Sequence, residues 1–198
     1  VYVRAVMCIR AAVSGGGAMH LVDSFGTTEN ITYVASLHEQ AAAMAAEGYA
    51  RITEGFGAVL CTSGPGATNT ITGIYGAWTD SIPMVVIAGQ VTQDTLIKDT
   101  GLRQFGLQEG DIVSIVKPIT KYAVTVTNPN TIRYHLEKAC CLAMTGRKGP
   151  VLLDIPLDVQ SKVINPEEQK GDHPGMKRVR NNERLKKQID RTVSLLKK

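Results

Sequence analysis

Short apolar runs rich in β-branched residues alternate along this chain with longer Ala-rich or amphipathic stretches, and that alternation predicts βα units around a parallel sheet. Strands are expected at Ile31–Leu37, Ala58–Thr62, Met84–Ala88 and Val151–Ile155. Most are short and nearly all apolar, as strands covered on both faces should be. Helices are expected at Glu39–Thr53, Ala67–Trp78 and Thr131–Thr145, from their length and their Ala, Glu, Met and Leu content. The fold class that follows is α/β, a parallel sheet with helices on both faces.

The pattern changes after Pro156. A polar run carrying Pro166, Gly171, Pro174 and Gly175 reads as a linker, and beyond it Leu185, Ile189, Val193 and Leu196 form one stripe of an otherwise Lys- and Arg-rich helix. The expected organisation is a domain over residues 1–160, a linker over 161–181 and a helix over 182–198. Its apolar stripe needs a cover, either a following domain in a longer protein or the body of this one.

Composition changes the picture in two places. The 198 residues carry a formal charge of +4, but residues 1–175 hold 13 Lys/Arg against 16 Asp/Glu, while residues 176–198 hold 9 against 2. The basicity belongs to the tail, and the body has neither the basic face nor the interleaved aromatics of a nucleic-acid binder, so no nucleic-acid partner is expected. Cys8, Cys61, Cys140 and Cys141 make no CxxC pair, and His20, His38, His135 and His173 share no metal spacing. Reduced thiols, no apolar run of roughly 20 residues and no signal peptide point to a cytoplasmic protein without a membrane anchor. The chain starts with Val1 rather than Met, which suggests an incomplete front.

Two segments stand where a strand gives way to a helix, the edge at which open α/β folds place ligands. In the first, Leu37-His38-Glu39-Gln40, the carboxylate of Glu39 is either a ligand-facing group or a complement to the positive helix end. The second, Thr62-Ser63-Gly64-Pro65-Gly66-Ala67-Thr68-Asn69, has two glycines around a proline that let backbone approach a ligand closely; it equally suits a tight βα connection. It lacks the Gly-Lys-Ser/Thr of a P-loop and the spacing of a dinucleotide fingerprint.

Taken in order, Gly15-Gly16-Gly17-Ala18, HEQ with AAxxAxGYAR, TSGPGATN, Asp80-Ser81-Ile82-Pro83, Gly89-Gln90-Val91, Gln108-Glu109 and Gly146-Arg147-Lys148-Gly149-Pro150 running into VLLDIPxDVQ resemble the thiamine-diphosphate synthases and decarboxylases, most closely the large subunit of acetolactate synthase. The likeness covers about residues 15–165. It implies a pyrimidine-binding domain in which Glu39 shares a proton with N1′ of the cofactor's aminopyrimidine ring and so promotes loss of the thiazolium C2 proton. It implies cofactor contacts from Gly15, Gly16, Pro65, Gly66, Asn69 and Gln108, and a flavin (FAD) contact from Arg147, which is otherwise a surface arginine in a turn. Lys121, in a matching Ile-Thr-Lys, is as well explained by a structural role. Family enzymes are dimers whose magnesium site lies on a second, diphosphate-binding domain marked by GDG…N; no such segment occurs here, so no metal ligand is assigned to this chain.

Three departures bear on substrate and flavin. Leu107 stands where the family has Phe, Leu157 where it has Lys, and Gly15 where it has Pro. The expected function is therefore the cofactor-activating part of a homodimeric enzyme acting on small 2-oxoacids, with acetolactate formation from two pyruvates as the first substrate expectation. Another 2-oxoacid decarboxylase or carboligase, half of a split enzyme, and a non-catalytic binding domain are the rivals.

Overall fold

The computed structural model describes residues 9–12, 15–29, 31–53, 55–98, 100–171 and 182–197. Five parallel strands, β1 (Ile9–Ala12), β2 (Gly57–Cys61), β3 (Met84–Gln90), β4 (Tyr122–Thr125) and β5 (Pro150–Pro156), form one sheet in the order β1-β2-β3-β5-β4. The central pair, β3 and β5, runs in unbroken register from Met84 opposite Pro150 to Gln90 opposite Pro156. Both strands are buried along their whole length, which explains why they read as continuous apolar runs.

Alternate residues of each strand feed two cores. On one face Val59, Cys61, Met84, Val86, Ala88 and Leu152 pack with Ala43 and Ala46 of α2 (Glu39–Thr53), Ile74 and Ala77 of α4 (Ile71–Thr79), and Ile112 and Val116 of α5 (Ile112–Val116). On the other, Leu60, Val85, Ile87, Val151 and Leu153 meet Ala139 and Ala143 of α6 (Ile132–Met144), with α1 (Met19–Thr27) and α7 (Leu157–Gln160) beside them. Small residues on α2 and α6 let the helices lie close to the sheet. The expected class, a parallel α/β sheet with helices on both faces, is the observed one.

Three elements depart from the sequence-based expectation. Ile31–Leu37 is not a sheet strand: it carries one bridge residue, Ala35, and Leu37 is fully exposed. The place beside β2 is taken by Ile9–Ala12, so the β-branched run adds no strand there. The edge strand β4 was not anticipated, because four residues carry too short a pattern. The helix expected from Ala67 starts at Pro65 as α3 (Pro65–Asn69) and breaks at the buried Thr70 before α4.

The start of the stretch read as a linker packs against α6. Gln169 accepts the Arg133 amide (3.1 Å) and donates to the Pro129 carbonyl, and Arg133 donates to the Pro166 carbonyl. Residues 172–181 of that stretch lie outside the described residues, as do Cys8 and His173. The final helix, α8 (Asn182–Leu196), forms as expected, with Ile189, Val193 and Leu196 exposed. Cys140 belongs to the second core, and burial pushes its thiol up to about 11, consistent with a packing residue. Lys121 donates to the Leu142 and Thr145 carbonyls, capping the carboxyl end of α6, which gives it a structural role. Among the described residues no helix is long and apolar enough to cross a membrane.

Candidate functional site

In a parallel sheet every strand ends at the same edge, and here that edge collects the glycine turn after β1, the Thr62–Gly64 turn after β2, Gln90 at the end of β3 and Pro156 at the end of β5. Glu39 opens α2 at the same edge. Its side chain is folded inward, with 9 % of the residue exposed, and Oε2 accepts a hydrogen bond from Asn69 Nδ2 at 2.9 Å. No described residue donates to Oε1. A carboxylate that served only the helix end would have no need of a side-chain clamp; this one has one oxygen fixed and one left for a donor.

The turns around Glu39 are shaped by close approach. A Cβ on Gly66 would lie 2.6 Å from Thr62 Cγ2 and 3.3 Å from Glu39 Oε1, so only glycine leaves both side chains where they are. Thr62 in turn accepts the Gly17 amide on Oγ1 (3.2 Å) and fills the space a Gly15 side chain would take. Gly16 faces open space and, with Gly15, Met19, Val22 and Asp23, lines an open pocket of about 380 Å³. Pro65 is the first residue of α3, where its missing N–H costs nothing. Gly64 has φ +53° and receives the Gln108 carbonyl so closely that a Cβ would stand 1.9 Å from it.

Among the expected site residues, Glu39, Asn69, Gly66 and Gly15 therefore meet around Thr62, and Gln108 reaches the cluster through its backbone, its side chain being exposed. His38 is exposed, its Nδ1 accepting the Gln40 amide. Arg147 is elsewhere. Its guanidinium donates to Ser81 Oγ (2.7 Å) and the Thr79 carbonyl (3.5 Å), in the turns that precede β3 and β5, so it stands at the amino edge of the sheet, opposite Glu39. Cys61 lies under the turn: burial raises its thiol pKa strongly, with the charges of Glu39 and Asp154 adding to the effect, so it stays protonated and inert.

Sequence reasoning passed over a buried polar network behind this edge. Asp154, 2 % exposed in the middle of β5, accepts Thr125 Oγ1 (2.9 Å) and Gln90 Nε2 (3.3 Å) on Oδ2, while Oδ1 has no hydrogen-bond partner. Desolvation raises its pKa to about 7, the hydrogen bonds from Thr125 and Gln90 oppose the rise, and Asp111 and Glu109 add to it. Gln90 also donates to the Gly110 carbonyl (3.0 Å), tying the sheet to the loop that touches Gly64. The signal was present as one charge inside Val-Leu-Leu-Asp-Ile-Pro.

The family model described as "Thiamine pyrophosphate enzyme, N-terminal TPP binding domain" matches residues 10–115. The acetolactate synthase large subunit of Haemophilus influenzae is 44% identical over 152 residues, 77% of this chain and 25% of that protein. The isozyme 3 large subunit of Escherichia coli gives the same three figures, 44%, 77% and 25%. Acetolactate synthase 2, chloroplastic, of Nicotiana tabacum is 39% identical over 191 residues, 94% of this chain and 28% of the relative. The chain thus spans about a quarter of the length of the curated relatives it matches. A family match over more than half the chain, with the glycine turns and the clamped glutamate at one sheet edge, assigns the protein: it belongs to the thiamine pyrophosphate enzymes, as their N-terminal TPP-binding domain.

Proposed function

We propose that this domain activates the cofactor of an enzyme that decarboxylates or joins small 2-oxoacids, with Glu39 as the activating carboxylate. The observation that carries the reading is the clamp on Glu39, with Oε2 held by Asn69 and Oε1 open to a donor beside Gly66. Thiamine diphosphate, when bound, supplies an electron-accepting thiazolium next to the substrate carbonyl. The chain's own part is to hold a proton acceptor at Oε1, with Asn69 keeping the carboxylate from turning away and Gly15 and Gly66 letting Thr62 pack beside it without displacing it. A neutral amide at position 39 keeps the shape and loses the proton sharing.

Acetolactate formation from pyruvate is the first candidate reaction. Leu107, 87 % exposed, and Leu157, at the start of α7, replace the polarisable Phe and the cationic Lys of the family pattern, and this favours a more apolar 2-oxoacid as the second. Magnesium would be held by sequence outside this chain. FAD, if used, would meet Arg147 at the far edge of the sheet, remote from Glu39. A homodimer through this domain would cover Leu37, Met44 and Tyr75, apolar side chains left exposed before and on α2 and α4. A following domain would cover the stripe of α8, and a cytoplasmic location fits the buried, protonated thiol of Cys61.

The decisive experiment is Glu39→Gln in the enzyme containing this domain. Hydrogen–deuterium exchange at thiazolium C2 should slow by about 10²–10⁴-fold with thermal stability nearly unchanged. Exchange at the wild-type rate, with only a loss of roughly 0.3–1 kcal/mol in stability, would leave Glu39 as a helix-end complement and remove the proposal.

A further inference from the structure

Between β3 and α5 lies a connection whose described residues, 91–98 and 100–111, hold one short 3-10 turn, Gln93–Thr95, and a connection this long within a compact domain calls for a function. It is not left to itself. The Glu109 carboxylate accepts the backbone amide of Ile97 on Oε1 and those of Phe105 (3.2 Å) and Gly106 (3.3 Å) on Oε2, drawing both limbs of the loop onto one charged group. Asp158 of α7 takes the Gln93 amide (3.0 Å) and side chain (2.8 Å), and Gln90 holds Gly110. Gly106 is wedged against Val91 and Thr95, where a Cβ would stand 2.8 Å from Val91 Cγ2.

The loop borders the Glu39 site without building it. Its Gln108 carbonyl presses on Gly64, two residues from the Gly66 that lies against Glu39, yet the partners of Glu39 itself are Asn69 and Gly66. What the loop offers at that edge is exposed apolar side chains, Leu102, Phe105 and Leu107, beside Gln108. Such a surface binds well only if its shape is set beforehand, because an unordered loop would lose its freedom at the expense of affinity. Backbone amides donating to a carboxylate are charge-assisted hydrogen bonds, suited to setting that shape.

We infer that Glu109 is a positioning residue that holds residues 100–109 as a preformed wall for the apolar part of the 2-oxoacid, governing substrate capture and leaving cofactor activation to Glu39. The inference rests on the thiamine reading above. In the thiamine-diphosphate-loaded enzyme, Glu109→Ala should raise KM for the 2-oxoacid about tenfold or more, with kcat within about twofold and C2 exchange unchanged. Glu109→Gln, which keeps one acceptor oxygen, should fall between. Amide exchange at Ile97, Phe105 and Gly106 should accelerate in both variants while α2 stays protected, a readout that needs no substrate and separates loop release from general unfolding. Unchanged KM, or a rise in KM accompanied by a comparable fall in kcat and C2 exchange, overturns the inference, as does amide exchange that rises equally in α2. If Glu39→Gln leaves C2 exchange untouched, the thiamine reading fails by itself, and the amide exchange still decides whether Glu109 holds the loop.

Discussion

Glu39 and Asp154 are both carboxylates turned into the protein, and their surroundings give them different work. Glu39 sits at the sheet edge with one oxygen open; Asp154 sits inside β5, where removal from water dominates and raises its pKa from 3.8 to about 7. Between those two values the folded protein keeps a proton that the unfolded chain releases, so the contribution to stability is fully present below about pH 3.8 and is lost as pH rises through about 7. Asp154→Asn resembles the protonated form, since its oxygen can still accept from Thr125 and Gln90. Thermal unfolding between pH 4 and pH 7 should therefore fall more steeply for the wild type, with the two proteins closest at pH 4 and the variant higher at pH 7. Parallel curves would show that Asp154 does not titrate in this window.

At the scale of elements, the join between the 106–110 loop and the turn before α3 is the tightest feature of the site. Gly64 combines φ +53° with the Gln108 carbonyl at its Cα, so Gly64→Ala adds backbone strain to a collision with main chain that no rotamer relieves. A loss of at least about 1–3 kcal/mol in urea unfolding is expected, with amide exchange rising first in the loop; a loss below about 0.5 kcal/mol would mean that the loop can lift away freely. The same scale shows what the sequence could tell. Helix α2 and strands β2, β3 and β5 were legible because each is long enough, or apolar enough, for its pattern to outweigh its neighbours. Ile31–Leu37 is also rich in β-branched residues and is not in the sheet, because a strand needs an open edge as well as propensity, and Ile9–Ala12 holds the edge of β2. Within the site, the turn after β2 was legible from residue types at a strand-to-helix junction, whereas Glu39 was legible through the resemblance of its motif, the strand expected before it not being part of the sheet. The Asp154–Gln90–Gly110 network and the Ile97 contact of Glu109 were not, since side chains there meet backbone or another side chain across 12 to 64 residues, which no local pattern encodes.

For the whole molecule, the decisive quantity is how much of a cofactor site one domain can hold. The sequence offers the carboxylate end, Glu39 with Asn69 and the glycine turns, and no GDG…N segment for a diphosphate-bound magnesium; among the described residues no cluster of three His, Cys, Asp or Glu side chains is arranged for a metal. This chain should therefore bind thiamine diphosphate weakly, with the same affinity in magnesium and in chelator. The tail complicates the measurement, because residues 176–198 carry nine Lys/Arg against two Asp/Glu and will attract any diphosphate at low salt. That attraction is screened within about 8 Å at physiological ionic strength, whereas a ring held against a buried carboxylate is screened far less. Calorimetry at about 0.15 M salt, with thiamine compared with thiamine diphosphate, separates the two. If Glu39 provides the site, the two ligands bind with similar affinity, and Glu39→Gln weakens both. Binding that follows the phosphates and disappears with salt would place the ligand on the tail, and tight binding that requires magnesium would reveal a diphosphate site in this domain after all.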